Sequence, residues 1–343
     1  MHKAIGMFSG GLDSILAAKI MHEEGFEVIA LHFYTGFNGK LRREIQNGPD
    51  WEWTPVEAVV KSADKLGIKL AARNVSKEYI NLITNPKYMY GSGVNPCIDC
   101  RIFLIKKAHE LMEQEQAVLV FTGEVLGQRP MSQHKPTLKL IEKRAGIDGR
   151  LLRPLSAKLL DPTIPEKEGI VNREHLYSFN GRSRKPQQTL AEKFGIDYYP
   201  QSGGGCLLTD KGFARKYFDF VGHAKDNNIT MHELNSLKTG RHLRLESGIK
   251  VIAGRNETEN NYLQKLLDGT CWLFDARDFP GAAVFAFGEP SDEEFNIIAS
   301  ICGRYSKGLK EDSLAIIAKK GNVTREFNVK PADHKYVEPL LIK

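Results

Sequence analysis

Ser9-Gly10-Gly11-Leu12-Asp13-Ser14 lies between an apolar run, residues 4–8, and a helix-patterned stretch, residues 15–21. A strand, a glycine turn and a helix start bring free backbone N–H groups and the positive end of a helix dipole to one point. The two glycines are expected to adopt positive φ and to let a bulky anion approach the backbone. The serines add hydroxyl donors, and the aspartate is suited to holding Mg²⁺ near phosphate oxygens. The stretch therefore predicts a phosphate site.

Strand-like and helix-like segments alternate through the first half of the chain. This alternation predicts an α/β fold, with a parallel sheet covered by helices on both faces. Ligands of such sheets bind beyond the carboxyl ends of the strands, where residues 9–14, His32 and Phe33 would meet. For His32 and Phe33, ordinary packing at a strand end is the alternative. The predicted strands are 4–8, 27–33, 69–74 and 117–122, and the predicted helices are 14–24, 55–66, 76–83 and 98–114.

The composition shifts near residue 232, and strand-like alternation begins soon after it. We therefore predict two domains, a catalytic domain over residues 1–232 and a smaller α+β domain over residues 233–343. Residues 34–53 form a polar stretch with two interpretations, a binding loop beside the nucleotide or a variable surface insertion.

The bulk composition is that of a globular protein, because 41% of the 343 residues are hydrophobic and 26% are charged. No apolar run approaches the roughly 18 residues of a membrane-spanning helix. No signal-peptide pattern begins the chain. We therefore expect a cytoplasmic protein without a membrane partner.

Two stretches concentrate the positive charge. Residues 127–154 hold seven cations and two anions, and a second basic group spans residues 182–185. The net charge of +6 permits a nucleic-acid partner without requiring one. Each stretch alone is equally consistent with a solvated surface, but with the other features the two favour RNA. The predicted RNA contacts within them are Arg129, Lys135, Arg182 and Arg184.

Cys97 and Cys100 form a Cys-x-x-Cys pair at the predicted start of a helix. The helix N-terminus and the neighbouring Arg101 are expected to lower the thiol pKa and favour thiolate. Cys206 follows three glycines, which would let the backbone approach whatever the thiol binds. The two remaining cysteines, at positions 271 and 302, have apolar neighbours and are predicted to be buried in the core.

Five cysteines in an apparently cytosolic chain favour a metal or catalytic role over a disulfide framework. Three thiols leave one coordination position open, as a catalytic metal site does and a structural site does not. Three interpretations stay open at this point. They are an iron–sulfur cluster, a persulfide carried by Cys100 or Cys206, and a zinc site completed by another ligand.

The turn at residues 9–14 resembles the PP-loop signature Ser-Gly-Gly-x-Asp-Ser of ATP pyrophosphatases, which cleave ATP between the α and β phosphates. The resemblance implies adenylation of a substrate, with AMP as a product. A PP-loop with a Cys-x-x-Cys pair and a distant third cysteine resembles the tRNA thiolation enzymes. The segment Asn95-Pro96-Cys97-Ile98-Asp99-Cys100 looks like the Asn-Pro-Asp-x-x-Cys segment of tRNA 2-thiouridylases, with Cys97 in place of the aspartate.

That departure makes the chain similar to the cluster-dependent thiolation enzymes. The similarity implies a 4Fe-4S cluster held by Cys97, Cys100 and Cys206. Phe121-Thr122-Gly123-Glu124 resembles a Thr-Gly-His segment of these families that helps form the nucleotide pocket, with Glu124 in place of the histidine. The residues predicted to bind ATP are Ser9, Gly10, Gly11, Asp13, Ser14, His32, Phe33 and Gly123.

Two segments of the C-terminal part resemble turns of the NFACT-type RNA-binding domain. They are Gly254-Arg255-Asn256 with Asn260, and Asp275-x-x-Asp278-x-Pro280-Gly281. The resemblance implies that this part holds RNA, with Arg255 as a candidate contact. A small α+β domain without an RNA contact is the alternative.

These patterns together predict an ATP-dependent tRNA sulfurtransferase that replaces a uridine oxygen with sulfur, giving 2- or 4-thiouridine. Its predicted catalytic residues are Asp13, Cys97, Cys100 and Cys206, and its predicted cofactors are ATP, Mg²⁺ and the iron–sulfur cluster. The predicted partners are tRNA and a sulfur donor, either sulfide or a separate carrier protein. Two alternatives stay open, a PP-loop enzyme that activates a small molecule and a non-catalytic RNA-binding or ribosome-associated factor.

Overall fold

A computed structural model describes residues 1–37, 57–199, 206–224, 229–267 and 269–343. Most of the predicted binding loop at residues 34–53 lies outside these described residues, as do the three glycines before Cys206. The described residues up to Tyr199 belong to one compact unit, and those from Cys206 onward belong to a second.

The first unit is built on a five-stranded parallel sheet with the strand order β3-β2-β1-β4-β5. The chain adds strands on one side of β1 and then on the other, so the loop after β1 opens at the topological switch point. The predicted α/β fold is confirmed. The strands are β1 Lys3–Met7, β2 Glu27–Tyr34, β3 Lys69–Asn74, β4 Leu119–Thr122 and β5 Leu151–Leu152.

Helices cover both faces of this sheet because successive residues of a strand point to opposite sides. Ala4 packs into a core shared with α1, α2 and α7, whereas Ile5 and Met7 pack into a core shared with α4 and α5. The helices are α1 Leu12–Glu23, α2 Glu57–Leu66, α3 Ser76–Thr84, α4 Cys97–Gln114, α5 Lys135–Ala145, α6 Ile164–Lys167 and α7 Lys185–Lys193.

The second unit holds a six-stranded antiparallel sheet with the order β11-β10-β8-β9-β7-β6. Its α+β character agrees with the prediction, but the sheet has more strands than the sequence pattern indicated. The strands are β6 Arg241–Arg244, β7 Lys250–Ala253, β8 Trp272–Ala276, β9 Val284–Ala286, β10 Leu314–Lys320 and β11 Val323–Val329. The helices are α8 Lys211–His223, α9 Met231–Ser236, α10 Glu257–Leu267, α11 Asp292–Arg304 and α12 His334–Val337.

The second unit begins earlier in the chain than the boundary predicted near residue 232. Helix α8 accounts for the difference through its charged contacts with β6 and β7. Asp219 accepts hydrogen bonds from Arg244 Nε at 3.1 Å and from Lys250 Nζ at 3.1 Å. Lys216, on the same helix, donates to the carbonyl oxygen of Gly240 at 3.2 Å. These long-range charge contacts leave no periodic signal in the sequence.

Among the described residues, no helix combines the length and the apolar character needed to cross a lipid bilayer.

Candidate functional site

The turn after β1 is held by its own hydrogen bonds. Ser14 Oγ donates to the carbonyl oxygen of Gly11 at 2.8 Å and lies 3.2 Å from Ser9 Oγ. Gly10 has a φ of +72°, which a side chain would strain, whereas Gly11 has a φ of −84° and is the N-cap of α1. The expectation of positive φ is therefore confirmed at Gly10 and wrong at Gly11. The first N–H groups of α1 have no intrahelical partner, which suits this turn to an anion.

Gly123, directly after β4, lies against the backbone of this turn. A Cβ atom at Gly123 would lie 2.5 Å from the carbonyl carbon and oxygen of Asp13 and 2.6 Å from the nitrogen of Ser14. Such distances are far inside van der Waals contact, so only glycine allows β4 to approach the turn this closely.

Asp13 is oriented by two side chains from later parts of the unit. Its Oδ2 accepts hydrogen bonds from Gln128 Nε2 and from Arg184 Nη2, both at 3.2 Å. Its Oδ1 is buried and has no hydrogen-bond partner among the described residues. A hard divalent cation prefers carboxylate oxygen, so this oxygen fits the predicted role of Asp13 as a Mg²⁺ ligand.

His32 lies near the end of β2, beside the turn, and is buried. Its Nδ1 lies 2.9 Å from the carbonyl oxygen of Phe8, so the Nδ1–H tautomer donates to that oxygen. Burial lowers the pKa of His32, against the opposing effect of that hydrogen bond. A neutral His32 therefore holds the start of the turn in place.

These residues surround a cavity of about 200 Å³ at the carboxyl ends of β1, β2 and β4. Six of the eight predicted ATP-binding residues line the cavity, and Gly10 and Gly11 lie in the same turn. The six are Ser9, Asp13, Ser14, His32, Phe33 and Gly123.

Helix α4 brings the cysteine pair to the neighbourhood of this cavity. Arg101 and Leu104 of α4 line the cavity, and Cys97 and Cys100 form the first turn of the same helix. Both cysteines are free, and both are partly exposed as whole residues. Asn95 Nδ2 donates a hydrogen bond to Cys97 Sγ at 2.9 Å, which steadies the sulfur on the helix end.

The expectation of a lowered thiol pKa is wrong for Cys100. Burial raises the pKa of the Cys100 thiol, and the nearby charges of Arg101 and Arg129 and a hydrogen bond with Tyr79 only partly oppose it. The helix dipole and one arginine therefore do not make Cys100 a resting thiolate. The pattern Cys-x-x-Cys does not reveal how deeply the second sulfur packs.

Glu124 is the centre of a buried charge network that the sequence did not reveal. Its Oε2 accepts a hydrogen bond from Arg153 Nε at 3.1 Å, and its Oε1 lies 3.4 Å from Arg101 Nε. Burial would raise the pKa of Glu124, but the charges of Arg101 and Arg153 outweigh it and lower that pKa. Glu124 is therefore ionised and holds Arg101 at the cavity wall. The nearest sequence signal was its position two residues after β4.

Cys206 belongs to the second unit, where it precedes the 3₁₀ turn Leu207–Thr209. Among the described residues, no three His, Cys, Asp or Glu side chains gather into a group that could hold a metal ion. Cys271 and Cys302 are buried as predicted, being 3% and 1% exposed.

The two basic stretches meet beside the cavity. Leu126 and Asn180 form a parallel bridge, and the N–H of Gly181 donates to the carbonyl oxygen of Leu126 at 2.8 Å. This contact places the segment of Arg129 next to the segment of Arg182. Arg129 lines the cavity and is exposed, and Arg182 is also exposed.

Three of the predicted RNA contacts are engaged with carboxylates. Arg255 pairs with Glu259, with 2.9 Å between its Nη2 and Oε1 of the carboxylate. Arg184 is paired with Asp13, a residue that lines the cavity. Lys135 lies 3.6 Å from Asp161, which also pairs with Lys139 at 2.7 Å. Lys135 lines a separate cavity between α5 and α6, away from the Ser9–Ser14 turn.

Arg255 lies in an open groove of about 850 Å³ in the second unit. Asn260 joins the two turns that form its walls, because its Nδ2 donates to the carbonyl of Gly281 and its Oδ1 accepts from the N–H of Ala283. The groove also holds a stacked pair, with the guanidinium of Arg241 4.9 Å from the ring centroid of Tyr305. Its remaining cations are Arg277 and Lys307.

Residues 2–135 match the family model of the tRNA methyl transferase HUP domain, and residues 240–339 match that of the NFACT protein RNA binding domain. The chain is 32% identical over 117 residues to a tRNA-specific 2-thiouridylase, MnmA 1, of Caldanaerobacter subterraneus subsp. tengcongensis, covering 31% of each chain. It is 24% identical over 242 residues to the MnmA of Petrotoga mobilis, covering 67% of this chain and 60% of that protein. The chain thus spans less than two thirds of the length of these curated relatives.

Solved structures also resemble parts of the chain. A 4-thiouridine synthetase in complex with RNA and ATP aligns with a TM-score of 0.34 and 19% identity, covering 57% of this chain and 52% of that one. The C-terminal part of a fibronectin/fibrinogen-binding protein from Streptococcus suis aligns with a TM-score of 0.28 and 12% identity, covering 71% and 98%. The chain is thus similar to the tRNA methyl transferase HUP domain over residues 2–135 and to the NFACT protein RNA binding domain over residues 240–339.

Proposed function

We propose that this protein is an ATP-dependent tRNA sulfurtransferase that adenylates a uridine carbonyl and replaces its oxygen with sulfur. The observation that carries the proposal is that one cavity is lined both by the anion-binding turn and by the helix that begins with the cysteine pair. Asp13 of the anion-binding turn and Arg101, the residue after Cys100, line the same cavity. The HUP-domain match and the 2-thiouridylase relatives support a tRNA substrate.

The proposed reaction has two steps. The uridine carbonyl oxygen attacks the α phosphorus of ATP, and pyrophosphate leaves as the adenylated base forms. A sulfur nucleophile then attacks the ring carbon and expels AMP, which carries away the original oxygen. Activation is required because the ring oxygen is a poor leaving group and AMP is a good one.

The cavity residues have separate tasks in this scheme. The turn at residues 9–14 binds the phosphates through backbone N–H groups and the two serine hydroxyls. Asp13 would hold Mg²⁺, which neutralises negative charge on the phosphate oxygens. Arg101, fixed by Glu124 at 3.4 Å, places a guanidinium where charge develops on the leaving groups.

The target base must leave the RNA stack to reach a cavity of this size. We propose that Arg129 and Arg182, on the two bridged segments beside the cavity, bind the tRNA backbone. Arg184 would link this surface to Asp13, and Lys135 would extend it along α5. In the second unit, the groove with Arg255 would bind a further part of the same RNA, as the name of the matching domain suggests.

The test is an assay of labelled ATP with the full chain, unmodified tRNA and sulfide, followed by mass spectrometry of the digested tRNA. We expect AMP and pyrophosphate to form in amounts equal to the thiouridine produced. Asp13→Asn should lose both products. Formation of ADP would contradict the proposal. AMP formation with a small molecule and no tRNA would support the small-molecule alternative, and RNA binding without turnover would support the non-catalytic one.

The iron–sulfur cluster predicted on Cys97, Cys100 and Cys206 is proposed separately, and the two steps above do not depend on it. Anaerobic purification distinguishes the metal alternatives, because a cluster gives a brown protein with iron and sulfide bound. A colourless anaerobic preparation with stoichiometric zinc would contradict the cluster. A colourless preparation without metal would leave a persulfide on Cys100 or Cys206 as the sulfur carrier.

A further inference from the structure

The segment before the cysteine pair, residues 85–96, has an unusual residue at its tip. Met89 has a φ of +60°, in the left-handed region that methionine rarely adopts. Its side chain is also 77% exposed. Among the described residues, only Met89 and Gln116 combine a side chain with a positive φ. Gln116 is polar and follows the C-cap of α4, where a left-handed residue is common. Met89 does not follow a helix C-cap, so its left-handed conformation does not have this explanation.

The rest of the segment is fixed at several points, so this backbone conformation is imposed on Met89. The carboxylate of Asp99 accepts hydrogen bonds from the N–H of Lys87 at 3.2 Å and of Tyr88 at 3.0 Å. The two tyrosines beside Met89 are turned inward. The Tyr88 hydroxyl is buried, and the Tyr90 hydroxyl donates to the carbonyl oxygen of Ile83.

The segment lies between the cysteine helix and the wall of the ATP cavity. Asp99 is on the first turn of α4, between Cys97 and Cys100. On the other side, a Cβ atom at Gly91 would lie 2.2 Å from the sulfur of Met131, which sits between the cavity-lining Arg129 and Gln133. Met89 therefore projects into solvent. The residues that contact Asp99 and Met131 lie within two positions of it in the chain.

We propose that Met89 packs against a base of the RNA substrate at the entrance to the cavity. This inference rests on the proposed function and adds a positioning residue to it. A strained backbone at a fixed tip is retained where it serves a site, and the exposed thioether is apolar and polarizable enough to cover the face of a base. The exposed Arg129 and Arg182 supply phosphate contacts nearby, so the partner with matching chemistry is RNA.

The experiment measures binding of unmodified tRNA to the full chain, with thermal unfolding in parallel. Met89→Gly removes the side chain and the strain together. It should weaken tRNA binding by about tenfold, as loss of one base contact does, while its unfolding temperature stays the same or rises. Met89→Leu should stay within about twofold of the wild type because it keeps the apolar surface. Gln116→Gly is the matched control, since it relieves the other strained residue and should leave tRNA binding unchanged.

Met89→Asn covers the case of a glycine variant that folds poorly, because asparagine tolerates the left-handed region and also lacks the apolar side chain. The inference would be overturned if Met89→Gly and Met89→Asn both bound tRNA with wild-type affinity. It would also be overturned if Met89→Leu lost as much tRNA affinity as Met89→Gly. A wild-type protein that binds tRNA but forms no AMP would contradict the proposed reaction and leave this contact measurable. A wild-type protein that binds no tRNA would overturn both.

Discussion

Asp13 and Arg184 are paired at 3.2 Å although 171 residues separate them in the chain. The pair connects the anion-binding turn to the second basic stretch, so one arginine of that stretch contacts a residue that lines the proposed ATP cavity. Arg182, two residues earlier, is exposed and has no such partner described. The two arginines therefore provide a matched pair of variants.

Arg184→Ala should raise the KM for Mg²⁺-ATP by about tenfold, because Asp13 loses the charged one of the two donors that orient it. Arg182→Ala should leave that KM unchanged and weaken tRNA binding, with a reduced dependence of affinity on salt. Steady-state AMP formation and tRNA binding at several salt concentrations measure the two effects. The assignment of Arg184 to ATP binding and of Arg182 to tRNA binding is wrong if both variants change only the KM for ATP or only the affinity for tRNA.

Glu124→Gln should destabilise the fold by about 3 kcal/mol, since it removes the buried carboxylate shared by Arg101 and Arg153 and leaves Arg153 paired with Glu142 alone. Glu124 is 3% exposed and Arg153 is 2% exposed in their ion pair. Urea unfolding measures the loss. Glu174→Gln is the control, because Glu174 pairs with Lys158 in solvent at 86% exposure and should cost less than about 0.5 kcal/mol. Equal stability of the two variants would contradict this role for Glu124.

Gly123→Ala should abolish most ATP binding, because its Cβ would lie 2.5 Å from the Asp13 backbone, which has no room to shift. We also expect a loss of about 1–3 kcal/mol in stability. Gly222→Ala makes the same chemical change on α8, where nothing lies within 4 Å, and should be neutral or stabilise by up to about 1 kcal/mol. Isothermal titration with an ATP analogue tests the difference, and unaltered affinity in Gly123→Ala would refute it.

Lys216 should make the stability of the protein depend on pH. Burial lowers its pKa from 10.5 to about 8, and the charge of Arg255 acts in the same direction. Between these two values the folded protein binds fewer protons than the unfolded chain, so the free energy of unfolding rises with pH by up to about 3 kcal/mol. Below pH 8 both states are charged and the contribution is constant. The Lys216→Met variant should not show this rise of the free energy of unfolding with pH.

Urea unfolding at pH 8 and pH 10.5 measures the effect as the difference between wild type and Lys216→Met. Burial also lowers the pKa of Lys250 to about 8, but Lys250 is present in both proteins and largely cancels in the difference. Lys211→Met, on an exposed position of the same helix, should match the wild-type profile. Parallel profiles for wild type and Lys216→Met would show that the buried lysine does not set this dependence.

The periodic parts of the fold could be predicted from the sequence because hydrophobic spacing records them directly. Strand β3 was predicted with its observed bounds, and β1, β2 and β4 within two residues. The two-residue β5 was missed, and the second sheet has more strands than its pattern indicated, since short strands carry too few residues to show alternation. Position in a parallel sheet also predicted that His32 and Phe33 would lie beside the Ser9–Ser14 turn, whereas Gly123 was predicted from the resemblance of residues 121–124 to the thiolation families.

Contacts between distant charges could not be predicted in this way. The pairing of Arg101 and Arg153 on Glu124 depends on three segments that meet only in the folded unit. The raised pKa of Cys100 has the same origin, because desolvation depends on neighbours from other elements. A count of positive residues likewise does not distinguish Arg184, which faces a carboxylate, from the exposed Arg182.

The bridge between Leu126 and Asn180 has a consequence for how the protein is made. Domains generally fold as they emerge from the ribosome, with early segments first. Strands β1 to β4 can pair once residue 122 has emerged, but the segment that carries Arg184 to Asp13 arrives some sixty residues later. During that interval a growing chain would therefore carry an Asp13 without its contact to Arg184, and full affinity for ATP would come only after the bridge has closed.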